Sequence, residues 1–227
     1  MIIGICGRIG AGKDTIALHL IEKYGYQKMS WASSLKDMCA SLFSWDRTML
    51  EGQTDEARQT REQVDEWWAQ ELGMPNFSPR LALQQLGTDV MRNHFSNDIW
   101  VASLKKKMIG KDNIVISDVR FNNEIAAIRD LGGQIWEIER GQTPRWVEDL
   151  SKLKSIKTNH PIPFINEVVD DFMKGKYPSV HSSEYSWHGV KPNILFHNDG
   201  PIEALKHQVD DAMDVLSVIG NDVPVGA

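Results

Sequence analysis

An α/β fold with a parallel β-sheet is the fold class that the sequence predicts. The chain opens with a short apolar run from Ile2 to Cys6, which has the length and composition of a buried strand. A glycine-rich turn follows, and the apolar residues from Ile16 to Ile21 continue as a helix. Later apolar runs alternate with helical patterns, as in parallel strands joined by helical crossovers. Right-handed crossovers would place helices on both faces of the sheet.

The remaining elements are predicted from turn and capping signals. A helix from about Lys13 to Tyr24 ends at Gly25, a residue suited to the left-handed backbone after a helix. Ser78 and Pro79 supply a cap and a first-turn proline. The other expected elements are a weak strand over 26–31, a helix capped by Ser33 or Ser34 that runs to 43, a charged helix over 55–72, a helix from 79 to 91, a helix from Asp98, strands over 113–118, 134–139 and 193–196, and helices over 123–131 and 201–219.

The segment from Gly141 to His188 has a looser pattern. Prolines interrupt it, and one helix is expected between Phe164 and Met173. A long irregular segment inside a compact domain is usually functional or disordered. Its place after a strand that ends at Arg140 fits a lid over a ligand. The tail from Asn221 to Ala227 is expected to fray.

The glycine-rich turn predicts a phosphate-binding loop. It reads Gly7-Arg8-Ile9-Gly10-Ala11-Gly12-Lys13-Asp14-Thr15, between a strand and a helix. The glycines let successive amides face an anion, the helix N-terminus adds partial positive charge, and Lys13 can reach the outer phosphates. An ordinary glycine-rich turn is the alternative, but the strand, turn, lysine and helix occur here in the required order.

Asp14 stands where such loops usually carry a magnesium-binding hydroxyl, and Thr15 comes one place later. Gly-Lys-x-Thr spacing favours a small-molecule kinase over a motor or switch NTPase. Asp14 is either a group near Mg²⁺ or an acidic residue favoured in the first turn of a helix. The sequence leaves both readings open.

Further candidate residues follow strands or lie on the helix over 79–91. Asp118 and Arg120 come after an apolar strand, at the sheet edge where ligands of parallel sheets bind. Arg120 is expected to act on a ligand rather than to pair with a surface acid. The polar residues that the helix could turn toward a ligand are Arg80, Gln84, Gln85, Thr88 and Arg92. Trp67 and Trp68 are expected to pack in a core.

Composition excludes several classes of protein. The 227 residues are 41% hydrophobic and 25% charged, as in ordinary globular chains, and no apolar run is long enough to span a membrane. The net charge of -6 argues against stable nucleic-acid binding. Cys6 and Cys39 lack metal-ligand spacing and are expected to be buried thiols in a reducing compartment. These features favour a cytoplasmic protein.

The sequence resembles the bacteriophage-type deoxynucleoside monophosphate kinases, within the adenylate-kinase-like P-loop group. The stretches that carry the resemblance are Gly7–Thr15, Leu35-Lys36-Asp37, Leu83–Arg92 with Asp98-Ile99-Trp100, Asp118–Glu124, His181-Ser182-Ser183-Glu184 and Asn198-Asp199-Gly200. The Leu-Gln-x-Leu-Gly-Thr stretch and the Asp-Val-Arg-Phe strand end are the most specific.

The resemblance implies a three-layer P-loop kinase fold, with a five-stranded parallel sheet and an inserted lid. One domain would comprise a core of about 1–140 and 189–220, an acceptor region of about 33–108 and a lid of about 141–188. The implied activity is transfer of the ATP γ-phosphoryl group to a (deoxy)nucleoside monophosphate, with Mg²⁺, in the host cytoplasm if the protein is viral. A homodimer is left open.

The resemblance also implies residue roles. Lys13, Asp118, Arg120 and Arg140 are the expected catalytic residues, and Asp14, Thr15 and Asp118 the expected magnesium ligands, directly or through water. The expected ATP-binding residues are Gly7, Arg8, Gly10, Ala11, Gly12, Lys13, Asp14, Thr15, Arg145, Asn198, Asp199 and Gly200. The expected acceptor-binding residues are Lys36, Arg80, Gln84, Gln85, Thr88, Arg92 and Trp100.

The roles of two residues and two competing functions stay open. His181 is either a structural or a catalytic histidine, and Glu184 either holds a lid arginine or is solvated. The competing functions are another P-loop small-molecule kinase, such as one acting on dephospho-coenzyme A, and a regulatory NTPase.

Overall fold

The computed structural model describes residues 1–155 and 165–221, without the side chains of 165, 166 and 219–221. The lid predicted over 141–188 therefore lies partly outside the described residues, as does the tail after residue 221. The chain forms two compact units. The first comprises residues 1–28 and 112–227, and the second comprises residues 29–111.

The sheet has five strands in the order β2-β3-β1-β4-β5. Their bounds are β1 Ile2–Gly7, β2 Gln27–Met29, β3 Ile114–Ile116, β4 Gln134–Glu139 and β5 Ile194–His197. β1 pairs in parallel with β3 and β4, and β4 pairs in parallel with β5. The α/β class and the parallel sheet are confirmed. The second strand is shorter than the predicted 26–31, and the third ends at Ile116 rather than at Asp118.

The helices of the first unit are α1 Lys13–Tyr24, α8 Asn122–Asp130, α9 Arg145–Ser155, α10 Ile165–Lys176 and α11 Ile202–Asn221, with a 3₁₀ turn at Ser182–Glu184. α1 ends at Gly25, whose left-handed backbone returns its amide to the last turn, as predicted. α9 was not predicted. Leu150 of α9 is buried with Val169 and Met173 of α10 and with Tyr185, so a small core stabilises a segment that reads as irregular in sequence.

Helices cover both faces of the sheet in this unit. Ile3 and Ile5 of β1 are buried in one core with Leu20 of α1 and Val209 of α11. Gly4 points to the opposite face, where a Cβ atom would meet the side chain of Ile128 in α8. Alternate residues of a strand face opposite sides, so the sheet lies between two helical layers.

The second unit contains α2 Ser33–Phe43, α3 Arg47–Glu51, α4 Asp55–Glu62, α5 Glu66–Glu71, α6 Pro79–Gln84, a π-helix over Gln85–Phe95 and α7 Ile99–Met108. Its core includes Leu35, Cys39, Phe43, Leu50, Phe77 and Trp100. Ser78 accepts a hydrogen bond from the amide of Leu81, so the predicted cap of α6 is confirmed.

Several predictions for the second unit are wrong. The charged helix over 55–72 is two helices, because Gln63 is extended and the Asp65 side chain caps a new helix by accepting from the amide of Trp68. Trp68 packs against Phe43, but Trp67 is 61% exposed. The helix expected over 79–91 changes to π geometry at Gln85.

The predicted serine cap of α2 is also wrong. Ala32 is the N-cap residue of α2 and gives no side-chain cap, while Ser34 lies within the helix and bonds to Ser103. Cys6 and Cys39 are buried free thiols, as predicted. Burial raises the pKa of Cys6 to about 12 and that of Cys39 to about 11, so neither is a reactive thiolate. Among the described helices, none combines the length and apolar character needed to cross a bilayer.

Candidate active site

The predicted phosphate-binding loop joins β1 to α1. Gly10 and Gly12 have φ angles of 76° and 112°, which favour glycine over residues with a Cβ. At Gly12 a Cβ would also lie 2.6 Å from the amide nitrogen of the Asn198 side chain. Gly12 is the N-cap of α1 and offers no side-chain cap, so the first amides of the helix are available to an anion.

Lys13 folds back over this loop. Its Nζ donates to the carbonyl oxygens of Gly7 and Arg8, at 2.7 and 2.9 Å. Burial, with the nearby positive charge of Arg120, lowers the pKa of Lys13 to about 8. An anion at the loop would therefore both satisfy the ammonium and offset its desolvation.

Asp14 links α1 to two neighbouring segments of the first unit. Its Oδ1 accepts from Lys28 Nζ at 2.8 Å and from Ser117 Oγ at 2.9 Å. Burial acts to raise the pKa of the Asp14 carboxyl, but the hydrogen bond and charge of Lys28 outweigh it, and the pKa is below its ordinary value. The carboxylate thus stays ionised beside Lys13, as a cation-binding group would require.

The residues present fit a Mg²⁺ site of one kind, in which phosphate oxygens and water molecules supply most of the ligands. Among the described residues, no three His, Cys, Asp or Glu side chains cluster as a metal site. Mg²⁺ commonly keeps several waters and takes one or two carboxylates plus substrate phosphates. The Asp14 carboxylate and the Thr15 hydroxyl stand at the start of α1, and the half-buried Asp118 follows β3.

Arg120 follows β3 and is held at its backbone and at its side chain. The buried carboxylate of Glu124 accepts from the amides of Arg120 and Phe121, at 2.7 and 3.1 Å. The guanidinium Nη1 lies 2.5 Å from Oε1 of Glu184 and 3.2 Å from Oγ of Ser183. A cation is thereby fixed beyond the carboxyl end of β3, near Lys13.

The segments after β4 and β5 are tied to the phosphate-binding loop. Arg8 donates to the carbonyls of Arg140 and Gln142, at 2.6 and 3.0 Å. In return, Nη1 of Arg140 lies 3.4 Å from the carbonyl of Gly10. Both arginines thus lie beside the loop, while the ATP-binding role of Arg8 and the catalytic role of Arg140 stay predictions.

The loop after β5 makes two further contacts. Asn198 donates to the carbonyl of Ala11 at 2.8 Å, and Asp199 accepts from the amide of Gly141 at 2.6 Å. Gly200 and Arg145 are exposed, and no contact among the described residues places them at the loop. Three segments of the first unit, at the ends of β1, β4 and β5, therefore form one hydrogen-bonded platform.

The acceptor-region candidates all lie in the second unit. Lys36 is paired with Glu51 at 2.6 Å, and Arg80 lies 3.9 Å from Glu62. Arg92 is buried and donates to the carbonyl of Asn97, while Trp100 donates to that of Gly87. Gln84 ends α6, and Gln85 and Thr88 lie half-buried in the π-helix. Arg92 and Trp100 thus support the shape of the unit, and the π-helix, a geometry common at functional sites, carries three of the candidates.

Sequence reasoning missed several polar groups. Arg61 is the clearest, because its Nε is buried and has no hydrogen-bond partner among the described residues. Burial and the neighbouring Arg80 lower the pKa of Arg61. Lys28, Ser117 and Ser183 were also missed. In sequence, Arg61 looks like any arginine of a charged helix, so no local signal could identify it.

Comparison with known proteins agrees with this geometry. The family described as deoxynucleotide monophosphate kinase matches residues 49–150. A protein of Acanthamoeba polyphaga mimivirus, whose name carries the same words, is 31% identical over 192 residues, which cover 76% of this chain and 92% of that protein. The match favours a nucleoside monophosphate kinase over a dephospho-coenzyme A kinase or a regulatory NTPase.

Solved structures with a similar course of the chain include two kinases. Dephospho-CoA kinase from Campylobacter jejuni is 13% identical with a TM-score of 0.47, and covers 97% of this chain and 98% of its own. Shikimate kinase from Aquifex aeolicus is 13% identical with a TM-score of 0.39, at 96% and 99% coverage. On the strength of the viral relative and the family match, the chain belongs to the deoxynucleotide monophosphate kinase family and is a phosphotransferase.

Proposed function

We propose that this protein transfers the γ-phosphoryl group of ATP to a deoxynucleoside monophosphate and releases the diphosphate. The observation that carries the proposal is the geometry of Lys13, whose ammonium lies on the carbonyls of a glycine-rich loop at the uncapped start of α1. That arrangement suits a polyphosphate, and the chain belongs to a family named for nucleotide monophosphates.

The loop would hold the phosphates of ATP in three ways. Amides at the start of α1 donate to phosphate oxygens, the helix dipole favours their charge, and Lys13 exchanges its two carbonyl partners for them. Asn198 and Asp199, which brace the loop and the segment after β4, would keep this cradle rigid. Arg145 and Gly200 would complete the ATP-binding set.

The residues beside the loop would hold Mg²⁺ through Asp14, Thr15 and Asp118, directly or by way of water. Bound there, the ion would neutralise charge on the phosphate oxygens. Lys28 and Ser117 would keep the Asp14 carboxylate in place, because both donate to its Oδ1. The role of the protein in this arrangement is to keep that carboxylate ionised and oriented.

The acceptor phosphate needs little covalent help, because it is already a nucleophile at neutral pH. Catalysis then depends on holding two polyanions in line and neutralising their charge. Arg120 and Arg140 would act on the transferring phosphoryl group. The acceptor would bind the second unit through Lys36, Arg80, Gln84, Gln85, Thr88, Arg92 and Trp100. Arg61 joins this set, because its buried donor would gain a partner in an anion.

A viral origin and work in the host cytoplasm are part of the proposal, supported by the mimivirus relative. Stable binding to nucleic acid is not expected at a net charge of -6.

The test is an acceptor panel with ATP and Mg²⁺. It would include the four common deoxynucleoside monophosphates, their ribose counterparts and dephospho-coenzyme A, with ATP hydrolysis followed with and without DNA. We expect transfer to at least one deoxynucleoside monophosphate. Transfer to dephospho-coenzyme A alone, or DNA-stimulated hydrolysis without transfer, would contradict the proposal.

A further inference from the structure

Glu184 lies in a short helical turn that reaches back to the end of β3. The turn spans Ser182–Glu184, and Oε1 of Glu184 lies 2.5 Å from Nη1 of Arg120. The Arg120 side chain is 33% exposed, whereas that of Glu184 is only 18% exposed. A charge pair of this kind is sheltered enough to orient a side chain, which an exposed pair does poorly.

The side-chain hydrogen bonds of Arg120 to described residues all lie at one corner of its guanidinium. Nη1 donates to both Glu184 and Ser183, while Nε and Nη2 have no hydrogen bond within residues 1–155 and 165–221. The planar fork of arginine can therefore donate to a phosphate along an edge that the protein leaves open. Besides the effect of burial, Arg120 lowers and Glu184 raises the pKa of Lys13, so both charges act electrostatically on the lysine of the predicted phosphate-binding loop.

Glu184 is itself anchored. His181 accepts from the Ser183 amide at 3.3 Å and so caps the turn, and Ser186 donates to the carbonyl of Ser182 at 2.7 Å. The next residue, Tyr185, is 1% exposed and donates to Asp170 of α10 at 2.9 Å. The position of the carboxylate is thus set by the small core of α9 and α10, within the segment that the sequence marks as a lid.

We propose that Glu184 is a positioning residue, which holds Arg120 by its Nη1 corner so that the open edge meets the transferring phosphoryl group. The inference rests on the proposed function, because it gives Arg120 its task. In this proposal a residue of the predicted lid segment sets the orientation of an arginine that follows β3. Ser183 assists as a second, uncharged acceptor.

The kinetic test compares Glu184→Ala with Glu167→Ala. Glu167 is an exposed residue of α10, so its variant loses the same charge and the same atoms away from Arg120. We expect kcat to fall roughly 10²-fold in Glu184→Ala, the scale for a misplaced catalytic group, with KM for both nucleotides near wild type. Glu184→Gln, which keeps an acceptor, should recover part of the loss. A raised KM at unchanged kcat, or equal losses in Glu167→Ala, would overturn the proposal.

A double-mutant cycle separates action through Arg120 from an independent role. If Glu184 acts through Arg120, the variant with both Arg120→Ala and Glu184→Ala should be no slower than Arg120→Ala alone. Multiplying losses would refute the proposal. Higher turnover and a lower acceptor KM in Glu184→Ala would mean that the carboxylate restrains Arg120 instead of aiming it.

A third measurement needs no activity. In ¹⁵N-arginine spectra of the ligand-free protein, an anchored Arg120 should show separate, slowly exchanging Nη signals in wild type and in Glu167→Ala. These signals should merge in Glu184→Ala, while thermal melting confirms that the variant is folded. A freely rotating Arg120 in the wild type would defeat the positioning role, whereas lack of transfer in the acceptor panel would defeat the function itself.

Discussion

The Lys13 ammonium lies 2.7 Å from the carbonyl of Gly7, the last residue of β1. Loop carbonyls are weak partners for a cation that burial has partly stripped of water. The lysine is thus held in place but poorly compensated in the free protein. Its site is ready for a stronger anionic partner.

Replacing Lys13 with Ala should lower kcat by at least about 10²-fold, since removal of one preorganised donor typically costs 10²–10³. Steady-state kinetics with ATP and the accepted deoxynucleoside monophosphate would measure this. The matched control is Lys23→Ala, which removes a lysine at the other end of α1. Near-wild-type turnover in a folded Lys13→Ala variant would remove the basis of the functional assignment.

Lys13→Met should stabilise the free protein at neutral pH. The pKa of Lys13 is lowered from 10.5 to about 8, so folding disfavours the charged form, and this penalty is fully present below about pH 8. Between pH 8 and 10.5 the unfolded chain binds more protons, so wild-type stability rises with pH and the advantage of Lys13→Met shrinks. We expect a gain on the order of 1–3 kcal/mol at pH 7. Urea unfolding of both proteins at pH 7 and pH 10 measures the difference in their free energies of unfolding. A difference that is the same at both pH values would contradict this prediction.

Arg120→Ala should lower kcat by about 10³–10⁵, as for loss of an arginine that stabilises a transferring phosphoryl group. The reason is its fixed position beyond β3, with one guanidinium edge open. Kinetics with both substrates varied would separate the steps. If only the acceptor KM rises, Arg120 binds a ground-state phosphate and is not part of the transition-state machinery.

The described parts of the predicted lid, 141–155 and 165–188, should gain protection from hydrogen exchange when donor and acceptor bind together. Arg8 ties its first residues to the loop, and Glu184 ties its end to Arg120. Hydrogen exchange would be compared for the free protein, for an ATP-analogue complex and for a bisubstrate-analogue complex. We expect added protection mainly with the bisubstrate analogue, because closure excludes water from the transfer. Equal protection in all three states would show a static subdomain.

Asp210→Asn should destabilise the fold by about 1–3 kcal/mol at neutral pH. The Asp210 carboxylate accepts from Tyr24 at 2.8 Å and pairs with His19 and Lys23 at 2.7 and 2.8 Å. Burial acts to raise the pKa of Asp210, but these donors outweigh it and hold the pKa below its ordinary value.

The direction of the Asp210 pKa shift determines the pH range in which this carboxylate stabilises the fold. A lowered folded-state pKa stabilises the protein above the unfolded value of 3.8, and that stability is lost as pH falls below it. The difference between wild type and Asp210→Asn should therefore shrink in acid. Denaturant unfolding at pH 7 and pH 3 measures it, and a difference that is constant with pH would contradict the assignment.

The sequence by itself determined the features that depend on neighbours along the chain. The strand Ile2–Gly7, the loop glycines, the helix from Lys13 and its end at Gly25 all follow from local periodicity and backbone preference. The same local signals placed Asp118 and Arg120 after β3. The conformation of these residues depends mainly on residues next to them in the sequence, so it can be predicted without the fold.

Only the tertiary structure decided the features that depend on distant neighbours. The break at Asp65, the exposure of Trp67 and the helix α9 follow from capping and burial that the sequence pattern does not reveal. The pair of Arg120 with Glu184 joins residues 64 positions apart. A side chain's electrostatic partner is set by the fold, since charge acts through space. The sequence marked Glu184 as a possible partner of a lid arginine, and only the folded chain shows that its partner is Arg120.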